Sequence, residues 1–235
     1  MGLIATIAIA QERLASDAML ADKAVLITNM LDSLPYKIFA TSSIDAMVHS
    51  VESFLSPNAC STSQLFSKEA LKLILICWKK AVEAGGGDAW KNYVAEFLKA
   101  SNWAGIGFGY GGCAAVHVCA YPLGSVYHIP HGQSNQLMFQ DVMKKYKEIQ
   151  PEGKINELEA VIAEALNVTP ENALETLYKL MDQVLKKEPL RMFGVKESDL
   201  PVFAKNLIQT QQRLLKNNYV ELTEEQVLEV YRAAY

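Results

Sequence analysis

Four residues in two short stretches have the types and spacing to do chemistry. Asp45 and His49 lie in Ser42-Ser43-Ile44-Asp45-Ala46-Met47-Val48-His49-Ser50-Val51-Glu52. On a helix, an i, i+4 spacing stacks both side chains on one face with Cβ atoms about 5–6 Å apart. His117 and His131 bracket a second stretch, punctuated by Pro122, Gly124 and Pro130. One carboxylate and three imidazoles suit a divalent iron or zinc ion. Such an ion acts as a Lewis acid on a carbonyl or acidifies a bound hydroxyl, chemistry that serves alcohol oxidation and hydrolysis alike.

Each residue also has a plainer reading. Asp45 and His49 alone could be a charge pair on a solvated helix face. Ala46, Met47 and Val48 point instead to a mostly buried helix, where an unpaired carboxylate is costly unless it meets a cation. His117 follows a run of small residues, Gly111, Gly112, Ala114 and Ala115, which allows either close helix packing or close approach to an ion. His131, between Pro130 and Gly132, suits a stiff turn that presents its ring from a loop. The chain has only 4 histidines, and their concentration here favours ligation over packing.

The elements that must position these groups read as helices from about Thr41 onward. Ser42 or Ser43 is expected to cap the helix bearing Asp45 and His49. Ala70, Leu71, Ile74, Leu75 and Trp78 form an apolar stripe on a helix over Ser67 to Val82, ended by Gly85-Gly86-Gly87. Asp88 is expected to cap the next helix, running through Trp90, Val94, Phe97 and Leu98. Helices are further expected over Ile155 to Leu166, Pro170 to Leu185, Leu200 to Leu215 and Glu224 to Ala233. Thr223 and Gln226 form a capping box for the last. Leu3 to Ala10 and Ala24 to Thr28 are apolar runs of strand length and are expected to belong to a sheet.

Gly107-Phe108-Gly109-Tyr110-Gly111-Gly112 matches the dinucleotide-binding pattern Gly-x-Gly-x-x-Gly, yet it follows a helical pattern and has no acidic residue about twenty positions later. Helix packing is the better reading. The 235 residues are half hydrophobic, enough for a substantial core, and the net charge of −4 is spread through the chain, which argues against nucleic-acid binding. No apolar run is long enough to span a bilayer. Cys60, Cys77, Cys113 and Cys119 lack Cys-x-x-Cys spacing and read as reduced thiols, mostly buried, which favours a cytoplasmic location.

The Asp-x-x-x-His stretch at Asp45, with His117 and a second histidine fourteen residues on in Pro130-His131-Gly132, resembles the iron-dependent (group III) alcohol dehydrogenase family. Ala120-Tyr121-Pro122-Leu123-Gly124, Tyr127-His128-Ile129-Pro130-His131-Gly132 and the tail Gln211 to Tyr219 look most like its 4-hydroxybutyrate-oxidising branch. The resemblance implies a mainly α chain. Residues 39–235 would form an all-helical, dehydroquinate synthase-like metal-binding domain, and residues 1–38 a short remnant of β-strands from an α/β nucleotide-binding domain. The Gly-Gly-Gly-Ser and Pro-Thr-Thr-x-Gly-Thr-Gly-Ser motifs of that domain do not occur here, so the chain is expected to be the carboxyl-terminal part of such an enzyme.

The resemblance further implies Asp45, His49, His117 and His131 as ligands of Fe2+, with Zn2+ possible. Hydride would pass between NAD and a short-chain alcohol or aldehyde, with 4-hydroxybutanoate and succinate semialdehyde as the expected pair. Tyr121 stands where many members carry another histidine near the nicotinamide, and would shape the pocket, donate through its hydroxyl, or simply pack. His128 would be a proton-transfer group near the substrate, a partner behind the ligands, or a surface residue. A homo-oligomer is expected. Two other readings remain open: a non-catalytic helical metal-binding or dimerisation fragment, and a metal-dependent hydrolase.

Overall fold

The structure is a computed structural model that describes residues 21–235. Helices pack on helices throughout, and the described residues contain no strand. The expected strand over Leu3 to Ala10 lies outside the described residues. Ala24 to Thr28 is not a strand: it is irregular until a single 3-10 turn over Thr28–Leu31. A strand needs a ladder partner for its backbone groups, and none exists among the described residues. Val25, Leu26 and Ile27 accordingly stay 77%, 42% and 47% exposed.

Helix α1 spans Tyr36–Leu55 and is buried on most of its circumference, as expected of a helix at the centre of a domain. It begins well before the serines expected to cap it, with Pro35 at the N-cap. The serines instead bond back onto their own helix. Ser43, Ser50 and Ser53 donate to the carbonyls of Ala40, Ala46 and His49 at 3.1, 2.9 and 2.6 Å. That gives each buried hydroxyl an acceptor within its own helix. Ser43 also accepts the indole N–H of Trp78 at 3.1 Å.

Helix α2, Ser61–Glu83, carries the foreseen stripe: Ala70, Leu71, Ile74, Leu75 and Trp78 are all buried. It packs on α1 and on α3, Val94–Gly111. The helix expected to start at Asp88 is in fact a 3-10 stretch, Gly87–Tyr93, followed by α3. Asp88 caps nothing; its carboxylate pairs with Lys91 at 2.9 Å. Trp90 fixes this stretch by stacking on Phe39 at 4.1 Å.

The Gly-x-Gly-x-x-Gly segment is the last turn and end of α3, as helix packing requires. A Cβ on Gly111 would lie 2.6 Å from the Ser53 carbonyl oxygen of α1.

Helices α4, Ala115–Tyr127, and α5, His131–Ile149, pack on each other, and α5 packs on α1. Pro122 lies inside α4, where it costs about 3 kcal/mol. Complete burial of Val116, Val118 and Leu123 outweighs this, at roughly 1.5–3 kcal/mol each. The outer layer is α6 (Lys154–Leu166), α7 (Ala173–Val184), α8 (Leu200–Thr210), the single turn α9 (Gln212–Leu215) and α10 (Glu224–Ala234). Gln211 breaks the helix expected to run unbroken to Leu215. The Thr223–Gln226 capping box forms as expected, with bonds of 2.9 and 3.2 Å.

Candidate metal centre

Three helices converge on one point. The i, i+4, i+7 face of α1 presents Asp45, His49 and Glu52, α4 contributes His117 from its first turn, and α5 begins with His131. His131 is therefore not on a loop: Pro130 is the N-cap of α5 and Gly132 its second residue. Gly132 is dictated by contact rather than by a turn, because a Cβ there would lie 2.0 Å from the Thr41 carbonyl oxygen of α1. The missing side chain lets the start of α5 press against α1 and carry His131 to Asp45.

Asp45 Oδ1 lies 3.4 Å from His117 Nε2 and 3.3 Å from His131 Nε2. The donor atoms of Asp45, His117 and His131 all fall within 4.8 Å of one another. His49 is on the same side, its Nδ1 3.9 Å from Asp45 Oδ2 and its ring stacked on His117 at 4.5 Å. It groups with His117 and Cys113 rather than with the Asp45 set. The four expected ligands thus form two overlapping sets that share His117.

Glu52 and Asn135 were not singled out from the sequence. Glu52 is almost wholly buried and accepts three bonds: Ala114 N–H at 2.9 Å, Val116 N–H at 2.6 Å and His117 Nδ1 at 2.6 Å. A carboxylate accepting at Nδ1 holds a proton there and leaves Nε2 as the nitrogen that can meet an ion. Asn135, fully buried, donates to Asp45 Oδ1 at 2.7 Å. Both carried a signal in their spacing, Glu52 three residues beyond His49 and Asn135 four beyond His131, each on its ligand's helical face.

The donor set fits a divalent cation. His117 Nε2 and His49 Nε2 are buried and make no hydrogen bond, an arrangement that costs about 1–3 kcal/mol per group unless something else takes the lone pair. Burial would raise the Asp45 carboxyl, but the neighbouring imidazoles of His49, His117 and His131 hold it well below the usual carboxylate range. Burial would lower the His117 imidazole, yet Cys113 and Glu52 hold it well above 6.5. Both shifts are responses to dense opposite charge, which a cation in place of a proton would also satisfy.

The remaining expected residues lie toward the open side. The Tyr121 ring sits 6.4 Å from that of His131, and the His131 side chain is 33% exposed. His128 is exposed at the C-cap of α4 in the left-handed conformation, φ 55°, and the structure does not bring its side chain into the cluster.

Residues 39–235 match the family model of the carboxyl-terminal part of Fe-containing alcohol dehydrogenases. The chain belongs to the iron-containing alcohol dehydrogenase family. It is 40% identical over 222 residues to the 4-hydroxybutyrate dehydrogenase of Clostridium kluyveri, covering 94% of this chain and 60% of that protein. It is 32% identical to a long-chain-alcohol dehydrogenase of Geobacillus thermodenitrificans, covering 93% of this chain and 55% of the relative. The crystal structure of the iron-containing alcohol dehydrogenase of Thermotoga maritima superposes with a TM-score of 0.67 at 25% identity, over 86% of this chain and 50% of that one. The chain thus spans between half and three fifths of the length of these family members.

Proposed function

We propose that this chain is the metal-binding part of an iron-dependent, NAD-linked alcohol dehydrogenase that interconverts 4-hydroxybutanoate and succinate semialdehyde. The observation that carries the reading is the meeting of Asp45, His117 and His131 at 3.3–3.4 Å, with buried imidazole nitrogens that have no hydrogen-bond partner. Asp45, His49, His117 and His131 would hold the ion. Bound there, the ion supplies Lewis-acid polarisation of the substrate's alcohol or carbonyl oxygen. Iron is favoured over zinc because it more readily accepts the further oxygen that a substrate brings.

The protein's own groups divide the remaining work. Glu52 keeps the proton on His117 Nδ1, and the fully buried His117 closes the inner wall to water. Asn135 orients Asp45 through its amide. The partly exposed His131 and the neighbouring Tyr121 border the side from which a small alcohol would approach. Tyr121 shapes that approach, and His128, at the outer end of α4, would exchange a proton with solvent.

The NAD-binding surface is placed in the part of the relatives that this chain does not span. A cytoplasmic location is supported by the unpaired, buried Cys77, Cys113 and Cys119. No helix among the described residues is long and apolar enough to cross a membrane.

The test is metal analysis of the purified chain, with calorimetry against NAD. The wild type should retain iron or zinc near one equivalent, His117→Ala should lose it, and the chain alone should not reduce NAD with 4-hydroxybutanoate. Unchanged metal content in the variant would refute the ligand assignment. Ready turnover by the isolated chain would refute the placement of the cofactor surface.

A further inference from the structure

Cys113 shares a donor set with His49 and His117 but is not among the ligands of a centre built on Asp45. Their donor atoms lie within 4.8 Å of one another. We propose that Cys113 is a metal ligand: its thiolate, with His49 and His117, forms a soft two-nitrogen, one-sulfur position that takes Zn2+ or Co2+ in competition with the oxygen-containing Asp45–His117–His131 position. The proposal rests on the metal reading above and extends it to a residue outside the Asp and three His.

The Cys113 segment is built to hold its sulfur in place. Cys113 sits in the short link between α3 and α4 and is 1% exposed. Asn217 donates to its carbonyl at 2.8 Å, and Glu52 accepts the next residue's N–H at 2.9 Å. The same Glu52 carboxylate holds His117, so sulfur and imidazole are registered to each other by one side chain. Such fixing from behind is what a ligand needs and a packing thiol does not. The Nε2 atoms of His49 and His117, the two imidazoles grouped with Cys113, are buried and have no hydrogen bond.

His117 has one nitrogen to give, because Nδ1 is committed to Glu52. Only one ion can take that nitrogen, and the Cys113 thiolate and the Asp45 carboxylate compete for a place on it. Thiolate is a soft ligand that selects zinc-like ions, whereas carboxylate suits harder ones. Around a tetrahedral zinc, with bonds of about 2.0–2.3 Å, neighbouring donors stand about 3.4–3.6 Å apart. The present set must close by about 1 Å or slightly more, within reach of small side-chain rotations. On binding, the Cys113 S–H bond breaks, the proton leaves to solvent and the sulfur lone pair forms the bond to the ion. No electron changes hands.

Cobalt reports this directly. The full chain loaded with one equivalent of Co2+ should show a near-ultraviolet thiolate-to-cobalt charge-transfer band. Cys113→Ser should lose the band, and Cys60→Ser, at an exposed cysteine, should keep it. Zinc-edge X-ray absorption of the wild type should find a sulfur neighbour without recourse to any variant. Cobalt bound at one equivalent without the band, or a band that survives Cys113→Ser, overturns the assignment and leaves the Asp45 reading intact. Failure of the wild type to bind cobalt or zinc at all overturns both.

Discussion

The two sides of the candidate metal centre are built differently. On the inner side, His117 is wholly buried and locked by a carboxylate that also binds two backbone N–H groups. On the outer side, Asp45 and His131 are 26% and 33% exposed, and His131 depends on how closely α5 approaches α1. The inner side fixes donors before any ion arrives, and the outer side leaves room for something to come and go. Under the proposed function, the first would suit a tightly held ion and the second a substrate that comes and goes.

The comparison breaks most severely at Glu52. Removing one member of a buried, hydrogen-bonded charged pair costs about 3–5 kcal/mol, and Glu52→Ala also strands the N–H groups of Ala114 and Val116. Denaturant unfolding of the chelator-treated chain should show a loss of that size, with metal retention lost as well. Glu52→Gln keeps the shape and should recover part of the stability. A wild-type unfolding midpoint in Glu52→Ala would mean that the inner side is not preorganised by this residue.

Gly132→Ala attacks the outer side. The new methyl cannot coexist with the Thr41 carbonyl oxygen at 2.0 Å, so the start of α5 must shift and take His131 with it. Overpacking of this kind costs about 1–3 kcal/mol. Metal affinity should fall by about tenfold or more, as for lost outer support of a ligand. Titration with a competing chelator measures it, and an affinity unchanged from wild type would show that His131 contributes little.

How much of this the sequence disclosed follows the same division. That Asp45, His49, His117 and His131 would come together was legible because groups suited to share an ion are restricted in type and spacing. The stripe on α2 and the capping box at Thr223 were legible because each is a local pattern. Glu52 passed unremarked although it shares the helical face of Asp45, since nothing in one helix reveals that the turn before α4 will fold over it. His131 was misplaced on a loop because Pro and Gly punctuate turns as well as helix starts and close helix contacts. Pro122 hid α4 in the same way: burial of its neighbours, invisible locally, overrode the propensity. Ser43 looked like a cap because its back-bond onto Ala40 cannot be told from capping without knowing where the chain enters α1.

Acidity sharpens the comparison through His117 on the inner side. The His117 pKa is held above 6.5 in the folded chain, after burial is outweighed by Cys113 and Glu52. In the metal-free protein the associated stability is fully present below pH 6.5 and is lost as pH rises through the folded value. A metal takes the place of the Nε2 proton, so its affinity rises by about tenfold per pH unit over that window. The difference in melting temperature between metal-loaded and chelator-treated chain should therefore widen from pH 6.5 upward. A constant difference would show that no proton leaves His117 when the ion binds.

The smallest effect is expected farthest out. His128 is exposed, and its backbone at φ 55° is a conformation that Ala adopts less readily than Asn or Gly. His128→Asn keeps the left-handed C-cap while removing the imidazole, and should change stability by no more than about 0.5 kcal/mol. Metal content should not change, because neither donor set includes this residue. If His128 exchanges protons with solvent during turnover, the full-length enzyme carrying His128→Asn should lose rate mainly at low buffer concentration, and added imidazole should restore it. A rate that is unchanged at every buffer concentration assigns His128 to the surface and leaves the outer side of the centre to His131 and Tyr121.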